Sequence, residues 1–324
     1  MKSNASLKKL AGILNAAQTI LIFIHTSPDG DAMGSAAALC RALRKSGKLS
    51  WILLDEEIPG YISFMDTEFC TRNRDCITSP DVCICADCGE YSRFPGLADK
   101  YDEGRVKLCV DHHTADDGFG DYYYIDESAA ATCQIIYRLL QEMGAEIDRD
   151  IAASLYTGIS TDTGSFQYSN TTAETHAIAS ELMMTGIDHT AINVKLYQTV
   201  SMAKLKIQAL ILQRAQVLLD GKAAVSCVTG EMLKQASAGA GDAEGAVDML
   251  RNIDGVEIAA FLKEREDGVK VSMRAKSWVD VREIAAVFGG GGHTKAAGCT
   301  LHMPMDDALE AVKKEIKDYW ERQA

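Results

Sequence analysis

Apolar residues in the first third of the chain form short continuous runs, separated by polar loops and by stretches with helical spacing. The runs cover residues 19–25, 49–54, 82–86 and 106–110. Short runs rich in β-branched residues are typical of strands buried on both faces of a parallel sheet. The apolar positions in 4–16 and 34–46 recur instead with the spacing of helices. Strands that alternate with helices predict an α/β fold built on a doubly wound parallel sheet.

The pattern becomes helical in the middle of the chain and changes again towards its end. We predict helices at 129–143, 149–160, 172–185, 188–197 and 201–213. Beyond them, two apolar runs flank Asp220-Gly221, which is a strong hairpin signal. Two more strands are predicted at 256–262 and 269–273, two helices at 281–288 and 305–321, and a loop at 236–245.

These patterns divide the chain into two domains of different fold. The α/β domain is expected over residues 1–190, a helical connector over 191–213 and a smaller α+β domain over 214–324. A cleft is expected between the two domains. The length of 324 residues is sufficient for two hydrophobic cores.

Composition narrows the classes of protein that fit. Net charge is −13, from 33 basic and 46 acidic residues, and this disfavours wrapping of long nucleic acid, which depends on many Lys and Arg contacts to phosphates. No signal peptide or membrane-spanning run is evident. Ten cysteines without a secretory signal indicate reduced thiols and a cytoplasmic location. Cys85 and Cys88 form a CxxC pair, which we interpret as part of a buried strand rather than a zinc or redox site.

Polar residues follow the predicted strands at the points where the strands end. They are His25, Asp29 and Asp31 after the first strand, Asp87 after the third, and Asp111, His112 and His113 after the fourth. The carboxyl ends of parallel strands lie at one edge of a sheet, and ligands bind at that edge in open α/β sheets. A polar break at 161–166 could bring Asp162 to the same place.

This combination of carboxylates and imidazoles, without thiolates, suits Mn²⁺ or Mg²⁺ better than a structural zinc site. Six ligands are many for one ion, whereas two ions about 3.5–4 Å apart can share a carboxylate and support in-line phosphoryl displacement. The alternative is that 28–30 form an ordinary turn and that the two adjacent histidines are surface residues. Further acidic residues at corresponding strand ends favour the metal site. An EF-hand is excluded, because Met33 falls at a ligand position and no glutamate closes the loop.

A second candidate site lies in the smaller domain. The run 289–295 fails as a P-loop, because Thr294 stands where the glycine before the lysine belongs. The backbone N–H groups of Gly290, Gly291 and Gly292, together with His293, could hold a phosphate or a terminal nucleotide; a flexible turn is the alternative. Candidate phosphate ligands at the end of a strand are Arg274 and Lys276. A solvated strand end explains those two residues equally well.

Taken together, these motifs resemble the DHH phosphoesterase family. The matching segments are His25-x-x-Pro-Asp-Gly-Asp-Ala-x-Gly-Ser35, Asp87, Asp111-His-His113 and Thr161-Asp-Thr-Gly164. The second domain resembles the DHHA1 domain through Ser272-Met-Arg274 and Gly289-Gly-Gly-Gly-His293-x-x-Ala-Ala-Gly298. In size and layout the chain is similar to the branch of the family that contains nano-RNases, or oligoribonucleases, and 3′-phosphoadenosine-5′-phosphate (pAp) phosphatases.

The resemblance implies roles for the individual residues. It implies one Mn²⁺ ion on His25, Asp29 and Asp87, and a second on Asp31, Asp87, His112 and Asp162, with Mg²⁺ or Co²⁺ as possible substitutes. Asp111 would orient a histidine. His113 would contact the scissile phosphate or protonate the leaving oxygen. From the other domain, Arg274, the glycine run and His293 would hold the nucleotide. A homodimer is also expected from the resemblance.

The activity expected from these inferences is manganese-dependent hydrolysis of very short oligonucleotides, such as nano-RNA and pApA, and of pAp. A hydroxide that bridges the two ions would attack phosphorus. Substrates would be short and single-stranded, with no long duplex nucleic acid and no membrane as partners. Alternatives on the same metal site are a pyrophosphate or polyphosphate hydrolase and a cyclic di-AMP phosphodiesterase. A non-catalytic nucleotide sensor is disfavoured, because no expected ligand position is missing.

Overall fold

The computed structural model describes residues 3–65, 67–113 and 119–323, which include every candidate site residue. The chain forms two compact units, Met1–Thr199 and Val200–Ala324. This division falls within the stretch 191–213 for which the sequence suggests a connector.

A six-stranded parallel sheet forms the centre of the first unit. Its strands are β1 (Thr19–Phe23), β2 (Leu49–Leu53), β3 (Cys70–Thr71), β4 (Val82–Ala86), β5 (Val106–Asp111) and β6 (Tyr122–Ile125). Their order in the sheet is β3-β2-β1-β4-β5-β6, and every pair is parallel. The direction of winding therefore reverses between β1 and β4, and such a reversal opens a crevice at the carboxyl ends of the two strands.

Helices cover the first sheet. They are α1 (Leu7–Ala16), α2 (Gly30–Lys45), α3 (Ala98–Asp102), α4 (Thr132–Met143), α5 (Arg149–Asp162), α6 (Ala173–Met184) and α7 (His189–Tyr197). Alternate residues of β1 face opposite sides: Ile20 and Ile22 enter one hydrophobic core, and Leu21 and Phe23 enter another. Burial on both faces explains why these strands are continuous apolar runs in the sequence.

The first unit differs locally from the predictions. Helix α1 begins at Leu7 rather than at residue 4, because Ser6 accepts the backbone N–H of Lys9 as the N-cap. Ser3 instead bonds to Ile125 at the end of β6. Strand β6 was not predicted, although its Tyr-Tyr-Tyr-Ile sequence has high β-propensity.

A six-stranded mixed sheet forms the second unit. Its strands are β7 (Gln216–Leu218), β8 (Ala223–Val228), β9 (Ile258–Arg265), β10 (Gly268–Ala275), β11 (Gly291–His293) and β12 (Ala296–Leu301). Its helices are α8 (Met202–Gln213), α9 (Gly230–Ala236), α10 (Ala246–Arg251), α11 (Val281–Val287) and α12 (Met305–Gln323). The order is β11-β12-β10-β9-β8-β7, with only β8 and β9 parallel. A parallel sheet with helices followed by this unit confirms the predicted fold class.

Part of the second unit differs from the predictions. The glycine run is not a simple turn: Gly291, Gly292 and His293 form β11 and pair antiparallel with β12. The predicted loop 236–245 contains a short 3-10 helix, Ala240–Ala243. Among the described residues, no helix combines the length and the apolarity needed to cross a membrane.

Candidate metal centre

His25 lies two residues beyond β1, at the point where the sheet changes its direction of winding. Its imidazole is buried, and Nδ1 donates to the carbonyl of Thr26 at 2.8 Å. A carbonyl can only accept, so this bond places the proton on Nδ1 and leaves the Nε2 lone pair available. Nε2 lies 3.4 Å from Asp87 Oδ2 and 4.0 Å from Asp29 Oδ2.

Asp29 and Asp31 lie at the start of α2. Asp29 is the N-cap, and its Oδ1 accepts the N–H groups of Asp31 and Ala32, both at 3.0 Å. This capping explains why α2 begins at Gly30, four residues before the predicted start. A Cβ on Gly30 would lie 2.4 Å from Thr161 Oγ1, so glycine permits close approach to the residue before Asp162. Asp31 is buried in the first turn of the helix.

Asp87 follows β4 directly and lies at the centre of the cluster. Its backbone is left-handed, with φ of 58°, a conformation that Asp and Asn adopt more readily than most residues. The carboxylate is 1% exposed. Oδ2 faces His25, whereas Oδ1 lies 3.7 Å from His112 Nε2 and 3.6 Å from His113 Nδ1.

His112 follows β5, and its ring faces three carboxylates. Nδ1 donates to the carbonyl of Ala129 at 3.2 Å, which again leaves Nε2 as the available nitrogen. Nε2 lies 3.5 Å from Asp162 Oδ2, 3.7 Å from Asp87 Oδ1 and 3.9 Å from Asp31 Oδ2. Asp162 is the last residue of α5, so the polar break in the sequence does bring its carboxylate to this edge of the sheet.

Asp111 ends β5 and holds the segment that carries both histidines. Its Oδ1 accepts the backbone N–H groups of His112 at 2.7 Å and His113 at 3.1 Å. The same oxygen accepts the Nδ1 proton of His113 at 2.8 Å. Asp111 therefore orients His113 directly and His112 only through its backbone.

The structure brings all eight predicted residues of the first unit together. Ligand atoms lie within 4.8 Å of one another in three overlapping groups. These groups are His25, Asp29 and Asp87; Asp31, His112 and Asp162; and Asp87, Asp111, His112 and His113.

Crowding of charge shifts the pKa values of this cluster in opposite directions. Burial lowers the pKa of His112, but Asp31, Asp162 and Asp87 outweigh that effect and raise it to about 9. Burial would raise the pKa of Asp87, but His25 and the other two histidines lower it to about 2. Burial and the neighbouring carboxylates of Asp87 and Asp162 raise the pKa of Asp31 well above its ordinary value. Burial raises the pKa of Asp162 to about 6.

Within the described part of the chain, four buried polar atoms of the cluster have no hydrogen-bond partner. They are His25 Nε2, His112 Nε2, Asp87 Oδ2 and Asp111 Oδ2. Leaving buried polar groups unsatisfied costs about 1–3 kcal/mol each. Both Nε2 atoms face carboxylates, as they would if a cation were bound between them. The residues present therefore fit one or more divalent metal ions.

Sequence reasoning missed two residues that support the carboxylates. The backbone N–H groups of Thr132 and Cys133, at the start of α4, donate to the two oxygens of Asp31 at 2.6 and 2.9 Å. The Thr132 hydroxyl donates to Asp87 Oδ1 at 2.8 Å. The one available signal was the position of Thr132 within the predicted helix 129–143, and this does not distinguish it from other helix residues.

The candidate substrate-binding residues lie in the second unit. Arg274 is near the end of β10, with Nε 3.6 Å from Asp248 Oδ1, and its side chain is one-third exposed. The Lys276 ammonium donates to the carbonyl of Ile253. The residues of β11, Gly291 to His293, are exposed at the edge of the sheet. Gly290 packs closely, since a Cβ there would lie 2.2 Å from the carbonyl oxygen of Gly298.

Relatives with known names share nearly the whole chain. The bifunctional oligoribonuclease and PAP phosphatase NrnA of Thermus thermophilus is 33% identical over 315 residues, covering 96% of this chain and 94% of the relative. The protein of the same name from Bacillus subtilis is 29% identical over 287 residues, covering 88% and 90%. A solved structure of an exopolyphosphatase-related protein from Bacteroides fragilis matches with a TM-score of 0.91 and 28% identity, covering 97% of this chain and 96% of that one.

Family models match both units. Residues 19–159 match the model described as the N-terminal domain of the DHH family, and residues 220–321 match the DHHA1 domain. The predicted resemblance is thereby confirmed: the chain belongs to the DHH family and carries a DHHA1 domain.

Proposed function

We propose that this protein is a manganese-dependent phosphoesterase that hydrolyses very short oligonucleotides and pAp. Relatives named as oligoribonucleases and PAP phosphatases align with 88–96% of the chain, which supports a hydrolase of phosphoric esters. The net charge of −13 favours small substrates over long nucleic acid.

The observation that carries the proposal is the pair of buried Nε2 atoms on His25 and His112, for which the residues that the structure describes offer no hydrogen-bond partner. In each ring the other nitrogen, Nδ1, donates to a backbone carbonyl. Nε2 then faces carboxylate oxygens at 3.4–3.9 Å. Metal-binding histidines in proteins have this arrangement, in which the second nitrogen is held by a hydrogen bond.

The geometry supports two metal positions. We assign His25, Asp29 and Asp87 to one position, and Asp31, Asp87, His112 and Asp162 to the other. The two oxygens of Asp87 face different histidines, as expected for a carboxylate shared between the positions. When bound, a pair of divalent ions lowers the pKa of water and offsets negative charge on the reacting phosphate.

His113 is the residue that we assign to proton transfer or phosphate contact. Its Nδ1–H is fixed by Asp111, and its side chain is one-third exposed, so the ring can be reached by a substrate. A histidine oriented in this way can deliver a proton from Nε2 to a leaving oxygen, and such general acid catalysis contributes typically about 10²–10⁴-fold in rate.

We assign the nucleotide to residues of the second unit. Arg274 can form a bidentate pair with phosphate, and Lys276 adds positive charge two residues later on the chain. The exposed β11 supplies Gly291, Gly292 and His293, and Gly290 precedes it. A nucleotide has a base and a sugar for such a surface to place, whereas pyrophosphate has neither.

Polyphosphate hydrolysis is a second candidate, favoured by one observation. The Bacteroides fragilis protein that matches over 97% of this chain is described as exopolyphosphatase-related. The same metal positions would serve that reaction. The two candidate functions are therefore distinguished by comparing substrates and not by the metal centre.

The test is a hydrolysis panel with pAp, pApA, cyclic di-AMP, pyrophosphate, polyphosphate and RNA of two to five nucleotides. Each substrate is assayed with Mn²⁺, Mg²⁺ or Co²⁺. We expect pAp and the shortest RNA to be turned over fastest with Mn²⁺. Asp87→Asn should lose at least about a hundredfold in rate, because it removes a shared carboxylate. The control is Asp99→Asn, an exposed carboxylate that pairs with Arg74.

Preferential hydrolysis of polyphosphate or pyrophosphate would replace the nucleotide proposal with the second candidate. Tight binding of pAp without turnover under all three metals would support a nucleotide sensor instead. Equal rates for Asp87→Asn and the wild type would reject the metal assignment itself.

The cytoplasmic location and the homodimer are proposals that this panel does not address. The eight buried cysteines in the described part of the chain are thiols, which favours a reducing compartment. Sedimentation of the purified chain would establish the oligomeric state.

A further inference from the structure

Helix α4 starts without a capping side chain of its own. Its N-cap residue is Ala131, which has no side-chain group to accept a hydrogen bond. The N–H groups of the first helical turn then need other acceptors. Asp31 provides them from another helix: its Oδ2 accepts from Thr132 at 2.6 Å, and its Oδ1 accepts from Cys133 at 2.9 Å.

The first residue of α4 also reaches a second carboxylate. The hydroxyl of Thr132 donates to Asp87 Oδ1 at 2.8 Å, and both side chains are almost completely buried. Thr132 is therefore a residue that bonds to two different metal-ligand carboxylates, one through its backbone and one through its side chain.

We propose that Thr132 is a positioning residue that sets the orientation of Asp87 for metal binding. The inference rests on the proposed function, since it takes Asp31 and Asp87 as ligands. Thr132 itself contacts neither substrate nor a reacting atom.

The direction of the hydroxyl is restricted in two ways. A β-branched side chain in a helix has few accessible χ1 rotamers, and threonine divides between two of them. The backbone of Thr132 is fixed because its N–H is bonded to Asp31. Asp31 and Asp87 are thus held at a defined separation by one residue, although they lie 56 positions apart in the sequence.

The hydroxyl matters because the two oxygens of Asp87 face different partners. Oδ1 points towards His112 and His113, and Oδ2 towards His25. Rotation of the carboxylate would turn both oxygens away from these directions. A hydrogen bond to Oδ1 opposes that rotation and still leaves a lone pair on each oxygen for a metal ion.

The test compares three variants of the full chain. Thr132→Val removes the hydroxyl and keeps the branched shape and the backbone N–H, whereas Thr132→Ser retains the hydroxyl. The matched control is Thr157→Val, because the buried Thr157 hydroxyl donates only to the Ala153 carbonyl within α5. Mn²⁺ affinity is measured by calorimetric titration of chelator-treated protein, and unfolding by urea is measured separately in EDTA.

We expect Thr132→Val to weaken Mn²⁺ binding by about 10–100-fold, which is the range for groups that orient metal ligands. Thr132→Ser should remain within a few-fold of the wild type, and Thr157→Val should bind as the wild type does. In EDTA the two valine variants should unfold at similar urea concentrations. Such a result separates loss of metal affinity from general destabilisation.

Equal Mn²⁺ affinity in Thr132→Val and the wild type would overturn the inference while leaving the metal centre intact. If the wild type itself bound no divalent ion, the proposed function would fail first. If Thr132→Val failed to fold in EDTA while Thr132→Ser and Thr157→Val folded, the hydroxyl would be a folding determinant and the inference would be rejected.

Discussion

The centre of the candidate site is a single residue with an uncommon backbone. Asp87 has φ of 58° immediately after β4, and this turn directs its carboxylate back to the edge of the sheet between two histidines. The sequence was sufficient to find Asp87, because a charged residue directly after an apolar strand stands out. It was not sufficient to find Thr132, since a threonine at the start of a helix has no distinctive pattern.

The adjacent residues His112 and His113 should respond differently to substitution. His112→Ala should weaken Mn²⁺ binding by at least about tenfold, because Nε2 of His112 faces three carboxylates. His113→Ala should bind Mn²⁺ almost normally but lose about 10²-fold or more in kcat, because its proposed role is proton transfer or phosphate contact. Titration calorimetry and steady-state kinetics on the two variants distinguish these effects.

His176→Ala, which replaces a histidine stacked on Phe166, serves as the control for removing an imidazole elsewhere in the first unit. If His112→Ala and His113→Ala lost Mn²⁺ affinity to the same extent, the result would contradict separate roles for His112 in metal binding and His113 in catalysis.

The pKa of His112 gives a second residue-scale prediction. Because that pKa is about 9 without metal, the imidazole carries a proton at pH 7 that a cation must displace. The Asp162 carboxyl, with a pKa of about 6, is deprotonated over most of the same range. Mn²⁺ affinity should therefore rise with pH between about 6 and 9 and level off above.

Calorimetry in two buffers of different ionisation enthalpy measures the number of protons released per ion. We expect proton release on Mn²⁺ binding at pH 7.5 for the wild type and less release for His112→Ala. Metal affinity that is constant from pH 6 to 9 would show that His112 is already neutral before metal binds.

At the scale of elements, glycines let helices approach the site closely. A Cβ on Gly158 in α5 would lie 2.2 Å from Cys133 Sγ in α4 and 2.9 Å from Asp31 Oδ1 in α2. A Cβ on Gly34 in α2 would lie 2.9 Å from the same sulfur. Three helices therefore meet where they carry or support the carboxylates, and a side chain larger than hydrogen has no space there.

Gly158→Ala should destabilise the protein by about 1–3 kcal/mol, the usual cost of overpacking a core. It should also weaken Mn²⁺ binding, because relief of the clash displaces Asp31. Gly12→Ala is the control, since nothing lies within 4 Å of a Cβ in the exposed part of α1. Because alanine has a higher helix propensity than glycine, Gly12→Ala should be at least as stable as the wild type.

Urea unfolding in EDTA measures both variants. Adding Cys133→Ala to Gly158→Ala should restore part of the lost stability, because it removes the nearer of the two clashing groups. A Gly158→Ala protein with wild-type stability and wild-type metal affinity would show that the helices can separate at no cost.

The presence of a helix or strand was easier to predict than the residues at which it begins and ends. Strands β1, β2, β4 and β5 were found because burial on both faces makes each of them a continuous apolar run. The start of α2 was placed late, because Asp29-Gly30-Asp31 has the composition of a turn although Asp29 caps the helix. Strands β11 and β12 were missed, because glycine and alanine give little strand signal.

At the scale of the whole molecule, the two units hold different parts of the proposed chemistry. Every candidate metal ligand belongs to Met1–Thr199, and the candidate nucleotide-binding residues belong to Val200–Ala324. Metal binding and nucleotide binding should therefore respond separately to substitution.

Arg274→Ala should raise KM for pAp by about tenfold or more, the loss expected for a charge-assisted hydrogen bond of about 1.5–3 kcal/mol. Mn²⁺ affinity should not change. The control is Lys270→Ala, because Lys270 is an exposed cation on the same face of β10. Steady-state kinetics at saturating Mn²⁺ provide the measurement, and a fall in kcat with constant KM would contradict a role in nucleotide binding.

The double attachment of Asp31 has a consequence for how relatives of this protein are interpreted. A descendant that lost its activity would still need an acceptor for the first turn of α4, so selection for folding alone would preserve this aspartate. The presence of an aspartate at this position in a related sequence is thus weak evidence that the related protein is an enzyme. The imidazoles at positions 25 and 112, whose Nε2 atoms have no hydrogen-bond partner among the described residues, are the more informative signature.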